Sequence, residues 1–551
     1  MKIYNIIFLT AIGCLALNSC SDMDDITGEG FRVTGEDIEK TNELLPSRIE
    51  SSLVGMYHYM GTQYAGSPAS ERDDDFGFPT ACISLDLNGA DMVCVNSGYN
   101  WFSVCSDYSD RMENYANPQI RYSYFYNQIK LANDILASVD QNSEDETIKQ
   151  YIGEAKAVRA FDYLCLAPYY QFNYVNNKEK LCVPIVTEET ENYNDNSRAT
   201  VEKVYGQIIN DLNDAISKLE NYDRKGDKTR IDKQVALGLR ARANLYMGNW
   251  EAAANDAAAA LNGYTPYTRE EVSKPTFYDM NDHNWLWGIS ITANDVTKNY
   301  GNPSWPSQLG SFSASAYTAG VGCYKCINSL LYDIIPDSDI RKHWWVNKDL
   351  QSDLLNGQRW GNASGQDIAT LEITDVKVKF LPYTNVKFGM KSGIGSPTND
   401  GDWCLMRAEE LILIQAEGLA MSGNPTEGKR KLEEFIKNNR DPDYTCTATT
   451  DVEIQNEIWK QRRIELWGEG FSMADIMRLN KPVVRFHGTD KENWPEDFCF
   501  NIDANDPYLL MRFPQKETNN NPAIENNKGG SQPKSLQNPN LLDGITDSSN
   551  Q

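Results

Sequence analysis

Residues 234–261 read QVALGLRARANLYMGNWEAAANDAAAAL, and this stretch decides the fold. Small and apolar residues recur three or four positions apart on both sides of Gly248-Asn249, which is the period of an amphipathic helix. The Gly-Asn pair interrupts the period and predicts a turn between two helices. The small residues would let these helices lie close together, with Tyr246 and Trp250 filling the space between them. Because a lone hairpin leaves an apolar face uncovered, we expect neighbouring hairpins to stack against it.

A second stretch with the same organisation lies at residues 405–440. Ala416 precedes Gly423-Asn424 by the spacing that separates Ala241 from Gly248-Asn249. Both stretches resemble the helix-turn-helix unit of the tetratricopeptide repeat. Their separation is too long for a regular array, so we expect a variable, loop-rich insertion over about residues 265–402. Within it we predict short strands, one of them over residues 375–380, and helices that resume at Trp403.

The amino-acid composition and net charge exclude one class of binding partner. The chain has 551 residues, with 52 Lys and Arg against 78 Asp and Glu, and therefore a formal net charge of −26. Such an acidic chain would be repelled by the phosphates of nucleic acids, so we expect no nucleic-acid partner. The 12 Trp and 29 Tyr residues must serve the core, a ligand platform or both.

The N-terminus has the features of an export signal. Lys2 precedes a short apolar run that ends at Leu17, and this pattern predicts a cleaved signal peptide over residues 1–19. Residues 17–20 read LNSC, a lipobox pattern that predicts acylation of Cys20, for example with palmitate. Residues 20–45 would then form a lipidated flexible linker. Its acyl chains would anchor the protein to a membrane without a transmembrane helix.

Several motifs follow one another in an order that gives the chain a family resemblance. They are EAKAVRAFDY at 154–163, RATVEKVY at 198–205, ARANLYMGN at 241–249, RAEELILIQAE at 407–417 and RRIEL at 462–466. In this order, over most of the mature chain, they resemble the SusD/RagB family of outer-membrane nutrient-binding lipoproteins. The acidic residues directly after Cys20 resemble the export signal of surface lipoproteins and fit the same family.

The resemblance implies a mainly α fold of tetratricopeptide-like hairpins. It implies an N-terminal helical part with a ligand loop at 46–230 and a SusD/RagB part at 231–551. It also implies a non-catalytic protein without cofactor, anchored in the outer membrane and facing the cell exterior. Such a protein would deliver oligosaccharides to a SusC-like TonB-dependent transporter, although some members of the family take peptides instead. We expect the motif residues Arg159, Arg463 and Glu465 to brace neighbouring helices.

Sugar recognition requires flat aromatic faces, with polar groups at the edge for the hydroxyls. The resemblance places a loop tryptophan at Trp101, which we take as the first candidate together with its neighbour Asn100. In the preceding loop, Arg72, Asp73 and Asp75 are candidates for contacts at the edge of the sugar. The candidate platforms in the insertion are Trp285, Trp287, Trp305 and Tyr317. For each aromatic residue, the alternative is a buried position in the core.

The residues form no recognisable catalytic or metal-binding pattern. The four histidines are scattered, the CxxC pair of Cys323 and Cys326 stands alone, and residues 73–75 lack the spacing of an EF-hand loop. We therefore expect neither a metal site nor enzymatic activity. A carboxylate pair for glycoside hydrolysis stays open as an alternative, because spacing in sequence does not fix separation in space. A purely structural lipoprotein stays open as well.

Overall fold

The structure is a computed structural model that describes residues 40–42, 45–296, 301–361, 365–487 and 492–529. The predicted signal peptide, the predicted lipidation site at Cys20 and nearly all of the predicted linker lie outside these residues. In the described part of the chain, no helix combines the length and the apolar character needed to cross a membrane.

Helices are the main regular structure, as the repeat pattern predicts. In chain order they are α1 (Glu50–Tyr59), α2 (Phe78–Asn88), α3 (Ser103–Ser106), α4 (Ala116–Leu136), α5 (Glu146–Tyr170), α6 (Tyr174–Asn177), α7 (Val201–Lys218), α8 (Lys233–Met247), α9 (Trp250–Ala260), α10 (Trp305–Gln308), α11 (Ser329–Asp333), α12 (Ala408–Met421), α13 (Pro425–Asn439), α14 (Asp451–Glu465), α15 (Ser472–Arg478) and α16 (Gln515–Asn520). Polar side chains cap several N-termini; the Thr200 hydroxyl, for example, accepts from the backbone N–H of Lys203 at the start of α7.

The strands are short and pair in twos. They are β1 (Met92–Cys94), β2 (Trp285–Ile289), β3 (Lys325–Ile327), β4 (Arg359–Trp360), β5 (Gln366–Asp367) and β6 (Trp403–Arg407). Each pair is antiparallel: β1 with β3, β2 with β6, and β4 with β5. Because β1 precedes the insertion and β3 lies inside it, this pairing ties the insertion to the N-terminal half of the protein.

Both predicted hairpins are confirmed. Gly248 ends α8 with φ of +74°, a left-handed conformation that glycine adopts without steric cost, and α9 begins two residues later. Gly423 has φ of +93° between α12 and α13. Helices α9 and α12 come very close, since a Cβ atom built on Gly418 of α12 would lie 2.6 Å from the carbonyl oxygen of Trp250. Small residues are therefore needed at this contact.

The hairpins stack into one continuous layer despite the insertion between them. Helix α5 packs on α7, α7 on α8, α8 on α9, α9 on α12, and α12 on both α13 and α14. Helices α7 and α8 thus pack together although the predicted boundary between the N-terminal part and the SusD/RagB part, at residues 230–231, lies between them. That boundary stays a prediction. Apolar side chains of α12, α13 and α14, such as Leu413, Leu432 and Ile458, form a core of their own beneath this end of the stack.

The loop-rich insertion with short strands is confirmed, with two corrections. Residues 375–380 form turns, not a strand, and Val378 is exposed. Residues 403–407, predicted to be helical, form β6, which pairs with β2 near the start of the insertion. This pairing brings the two ends of the insertion together, so the repeat helices that flank it remain in contact.

Charged residues of the motifs brace the helices, as expected. The Arg159 guanidinium of α5 donates to both carboxylate oxygens of Asp211 in α7, at 2.8 and 2.7 Å. Arg463 of α14 donates to the Asp91 carboxylate, at 2.6 Å for the shortest contact. Glu465 accepts from Arg407 at 2.9 Å and from Arg440 at 2.8 Å. These carboxylates hold separate elements together through charge-assisted hydrogen bonds.

Candidate functional site

The loop of residues 64–77, between α1 and α2, is organised by Asp75. This buried carboxylate accepts from the backbone N–H groups of Gly66 and Ser67, at 3.0 and 2.7 Å, and from the Ser67 hydroxyl at 2.6 Å. Burial raises the pKa of Asp75, and these hydrogen bonds counteract part of that shift. Both oxygens of Asp75, which was predicted as a ligand contact, are used in this structure to shape the loop.

Arg72 and Asp74 form a bidentate ion pair at the end of the same loop. Nε and Nη2 of Arg72 donate to the two carboxylate oxygens of Asp74, at 2.9 and 3.0 Å. Asp74 also accepts from the Asn117 amide of α4 at 3.0 Å and is fully buried, which fixes the pair on the helical scaffold. The Arg72 guanidinium lies over the Trp101 ring, 4.9 Å from the ring centre, in a cation–π contact.

The loop of residues 95–102, between β1 and α3, is shaped by Asn100. This buried side chain donates to the Val95 carbonyl at 2.8 Å and accepts from the backbone N–H of Phe102 at 3.2 Å. Both ends of the amide are thus used inside the loop. Asn100, which was predicted as a ligand contact, holds the turn from which Trp101 stands half-buried at the surface.

Trp101, Tyr317 and Asp73 are joined by a chain of hydrogen bonds. The indole Nε1 of Trp101 donates to the Tyr317 hydroxyl oxygen at 2.7 Å, and the Tyr317 hydroxyl donates to Oδ2 of Asp73 at 2.6 Å. The three residues come from three segments that are far apart in sequence. With Arg72 they form what we call the tryptophan cluster: Arg72, Asp73, Trp101 and Tyr317. Burial, together with the hydrogen bond to Asp73, raises the pKa of Tyr317, so its hydroxyl keeps its proton.

Helix α10 connects the insertion to the tryptophan cluster through hydrogen bonds. The Ser307 hydroxyl accepts from the backbone N–H of Tyr317 at 3.2 Å, and the Gln308 amide donates to the Asp73 carbonyl at 3.1 Å. Helix α10 is held in turn by Trp305, whose Nε1 donates to the Gly401 carbonyl at 2.7 Å. Tyr317 therefore sits on a supported segment, although it belongs to a region poor in regular structure.

The three tryptophans of the insertion that were predicted as ligand platforms lie in the core. Trp285, Trp287 and Trp305 are fully buried, so their ring faces are closed to a ligand in this structure. Trp285 and Trp287 lie in β2, a strand that is buried along its whole length. Trp305 packs against Phe388 and Trp403. The three tryptophans are part of the hydrophobic core because the insertion folds back over them.

Tyr99 is a candidate that the sequence analysis overlooked. It is 72% exposed, the most exposed large apolar side chain of the described residues, and it precedes Trp101 by two positions. The signal was present in the sequence, since an aromatic residue between Gly98 and Asn100 in a turn has little opportunity to be buried. Tyr99 could extend the aromatic surface of the tryptophan cluster.

Other candidate chemistries find no geometric support in the described residues. No group of three or more His, Cys, Asp and Glu side chains in this part of the chain could hold a metal ion. Cys323 and Cys326 are free, buried thiols.

A separate cleft of about 280 Å³ lies between α1 and the end of β2. Its buried cation, Arg230, is already paired with Glu50 and Glu154.

The sequence matches two family models. One, described as starch-binding and associating with the outer membrane, matches residues 82–245; the other, described as the SusD family, matches residues 332–529. Together they match more than half of the chain. The chain belongs to the SusD/RagB family. Neither model is that of an enzyme family. The SusD-like protein P38 of Formosa agariphila is 22% identical to this SusD/RagB protein over 445 residues, 74% of this chain and 83% of the relative.

Solved structures confirm the mainly α fold of this SusD/RagB protein. A SusD-like carbohydrate-binding protein of Bacteroides vulgatus has a TM-score of 0.69 at 24% identity, over 87% of this chain and 97% of its own. A SusD superfamily protein of Bacteroides thetaiotaomicron has a TM-score of 0.70 at 21% identity, over 88% and 99%. A laminarin-binding SusD-like protein has a TM-score of 0.61 at 19% identity, over 88% and 99%.

Proposed function

We propose that this protein binds oligosaccharides at the cell surface through the tryptophan cluster and delivers them to a SusC-like TonB-dependent transporter. The observation that carries the proposal is the chain of hydrogen bonds from Trp101 through Tyr317 to Asp73, beside the stacked Arg72. It unites an aromatic ring with polar groups on a supported surface, which is the combination that sugar recognition requires. Two structural neighbours described as carbohydrate-binding and laminarin-binding support a glycan as the ligand class.

The cluster is suited to capture, not to cleavage. Glycoside hydrolysis needs two carboxyl groups that flank the bond, one of them held as an acid. The cluster has one carboxylate of its own, Asp73, and its neighbours cannot serve as the second, since Asp74 binds Arg72 and Asp75 organises its own loop. We therefore propose a non-catalytic protein. Release of reducing ends from a bound glycan by the purified protein would contradict this proposal.

Replacing Trp101 by alanine is expected to weaken glycan binding about tenfold or more, because truncating an aromatic anchor typically costs more than about 1 kcal/mol of binding free energy. A glycan array on the soluble protein identifies the ligand, and isothermal titration calorimetry then gives the Kd of each variant. Tyr193→Ala is the matched control: Tyr193 is 56% exposed at the start of a short 3₁₀ helix outside the cluster. Unchanged binding by Trp101→Ala, or equal losses in both variants, would contradict the assignment. Binding of peptides alone on parallel arrays would favour the peptide-binding alternative.

Anchoring at Cys20 is proposed from the lipobox. Cys20→Ser is expected to move the protein from the outer-membrane fraction to the soluble fraction, because the acyl chains supply the membrane affinity. Fractionation of cells that express either form, followed by immunoblotting, measures the distribution. Co-purification of a SusC-like transporter with the wild-type protein tests the proposed partner. A Cys20→Ser protein that remains with the outer membrane after a high-salt wash would contradict lipid anchoring.

A further inference from the structure

We infer that the tryptophan cluster selects uncharged oligosaccharides and discriminates against glycans that carry carboxylate or sulfate groups. This inference rests on the proposed function and specifies its ligand class. It follows from how the hydrogen-bond donors of the cluster are already used, and from the sign of the charge that remains.

Trp101 and Tyr317 both use their hydrogen-bond donors inside the cluster. The indole N–H of Trp101 is directed at Tyr317, and the hydroxyl hydrogen of Tyr317 is directed at Oδ2 of Asp73. The chain therefore ends in a carboxylate, and Oδ1 of Asp73 accepts no hydrogen bond from the described residues. A carboxylate only accepts, so a ligand group at this position has to donate. A sugar hydroxyl can donate, whereas an ionised carboxylate or sulfate cannot.

The one cation of the cluster is already neutralised. Nε and Nη2 of Arg72 form the bidentate ion pair with Asp74. Because Asp74 is fully buried, its negative charge stays paired with the Arg72 guanidinium. Nη1 lies outside this pair, and the Arg72 side chain is 24% exposed, so one edge can still donate to a ligand oxygen. Arg72 and Asp73 thus offer a donor beside an acceptor, which fits neighbouring hydroxyls that each both donate and accept. The net charge of Arg72, Asp73 and Asp74 is −1.

Two buried cations of the described residues lie near the cluster, Lys325 and Arg121, and Arg121 is close enough to interact with the Asp74 carboxylate. Neither of them is exposed to a ligand at the surface. Lys325 of β3 lies 6.0 Å from the centre of the Phe102 ring, but it is fully buried and donates to the Cys323 carbonyl. On the exposed side, Asn96 of the Trp101 loop contacts another carboxylate, Asp497. The whole chain carries a formal charge of −26, which repels anionic glycans before they reach the site.

The experiment compares three forms of one oligosaccharide: the neutral glycan identified on the array, the same glycan with its primary alcohols oxidised to carboxylates, and the methyl ester of that product. We expect the carboxylate form to bind about five- to tenfold more weakly than the neutral form at low salt. The methyl ester, which has nearly the same shape without the charge, should recover most of the affinity. Raising the ionic strength to about 1 M should shrink the difference, because the Debye length falls to about 3 Å.

Asp73→Asn is the variant that isolates the charge. Asparagine can still accept from Tyr317 through its amide oxygen, and the ratio of neutral to anionic affinity should fall towards one. Asp195→Asn, which removes an exposed acid outside the cluster, should leave the ratio unchanged. The Tm of each variant shows whether it folds, and the ratio within one variant is insensitive to a general loss of affinity.

The outcomes separate this inference from the proposed function. Equal or tighter binding of the carboxylate form would overturn the inference and leave oligosaccharide binding intact, as would an array on which only anionic glycans bind. An unchanged ratio in Asp73→Asn would show that Asp73 does not set the preference and would overturn its role. An array on which no glycan binds would instead refute the proposed function.

Discussion

Glu465→Gln is expected to lower the free energy of unfolding by about 3–5 kcal/mol, the usual cost of removing one partner of a buried ion pair. Glu465 is fully buried and contacts three guanidinium groups, those of Arg341, Arg407 and Arg440. These residues belong to an ion cluster of the described core with equal numbers of opposite charges: Arg341, Lys387, Arg407 and Arg440 against Asp339, Glu409, Glu465 and Glu469. Glutamine keeps the shape of the side chain but leaves one buried positive charge without compensation.

The matched control is Glu434→Gln on α13. Glu434 also pairs with an arginine, Arg430, at 2.9 Å, but both side chains are about half exposed. Exposed pairs contribute little, so the expected change is below about 0.5 kcal/mol. Urea denaturation at neutral pH, followed by circular dichroism, gives the midpoint for each variant. Equal midpoints for the two variants would show that the buried cluster is not a source of stability.

The same cluster predicts how stability depends on pH. Burial opposes the charged form of Glu465, but Arg440, Arg407 and Arg341 outweigh it and hold the pKa of Glu465 well below its usual range. A carboxyl group whose pKa is lowered on folding stabilises the protein above its unfolded pKa of about 4.3, and this contribution is lost as the pH falls towards the folded pKa. The stability difference between the wild type and Glu465→Gln should therefore shrink below about pH 4.3.

Gly470→Ala is the second change with a large expected effect, a loss of about 2–5 kcal/mol that combines left-handed backbone strain with overpacking. Gly470 has φ of +89°, and its backbone N–H donates to the Asp86 carboxylate of α2 at 3.0 Å. A Cβ atom built on Gly470 would lie 2.7 Å from both Cα and Sγ of Cys82. Because one contact is with the backbone of a buried helix, rotation of a side chain cannot relieve it.

Gly423→Ala separates the two contributions. Gly423 has φ of +93°, but nothing lies within 4 Å of a Cβ atom built there. Its substitution should cost only the strain of the left-handed conformation, about 1–2 kcal/mol. Urea midpoints for both variants measure the difference, and the soluble yield of Gly470→Ala provides a second readout. If Gly470→Ala is no less stable than Gly423→Ala, the close approach between residue 470 and α2 does not constrain the fold.

The sequence by itself determined the repeat helices and their turns. The recurrence of small residues around Gly248 and Gly423 predicts two hairpins, because helical periodicity and a left-handed glycine are local properties of the chain. Motif order was equally informative, since it predicted a family that two family models then confirmed. The bracing role of Arg159, Arg463 and Glu465 followed from long charged side chains placed within helical segments.

The insertion was predicted less well for a physical reason. Its strands are two to five residues long, and two of them, β2 and β3, form because they pair with distant segments, β6 and β1. The strand β6 lies directly before α12 and has a sequence that is also compatible with a helix. Only its pairing with β2 decides between the two. Local periodicity carries no information about such a partner, so the alternation at residues 375–380 was misleading.

The candidate site shows the same division. The family resemblance nominated Trp101, and residue type nominated Tyr317, Arg72 and Asp73, because flat rings and polar groups in loops are what a sugar requires. Residue type could not separate them from Trp285, Trp287 and Trp305, which an equally aromatic sequence context places in the core. Only the tertiary structure decided which rings remain at the surface, because burial depends on how the insertion folds back over the helical stack. It also decided that three distant segments meet in one hydrogen-bonded chain.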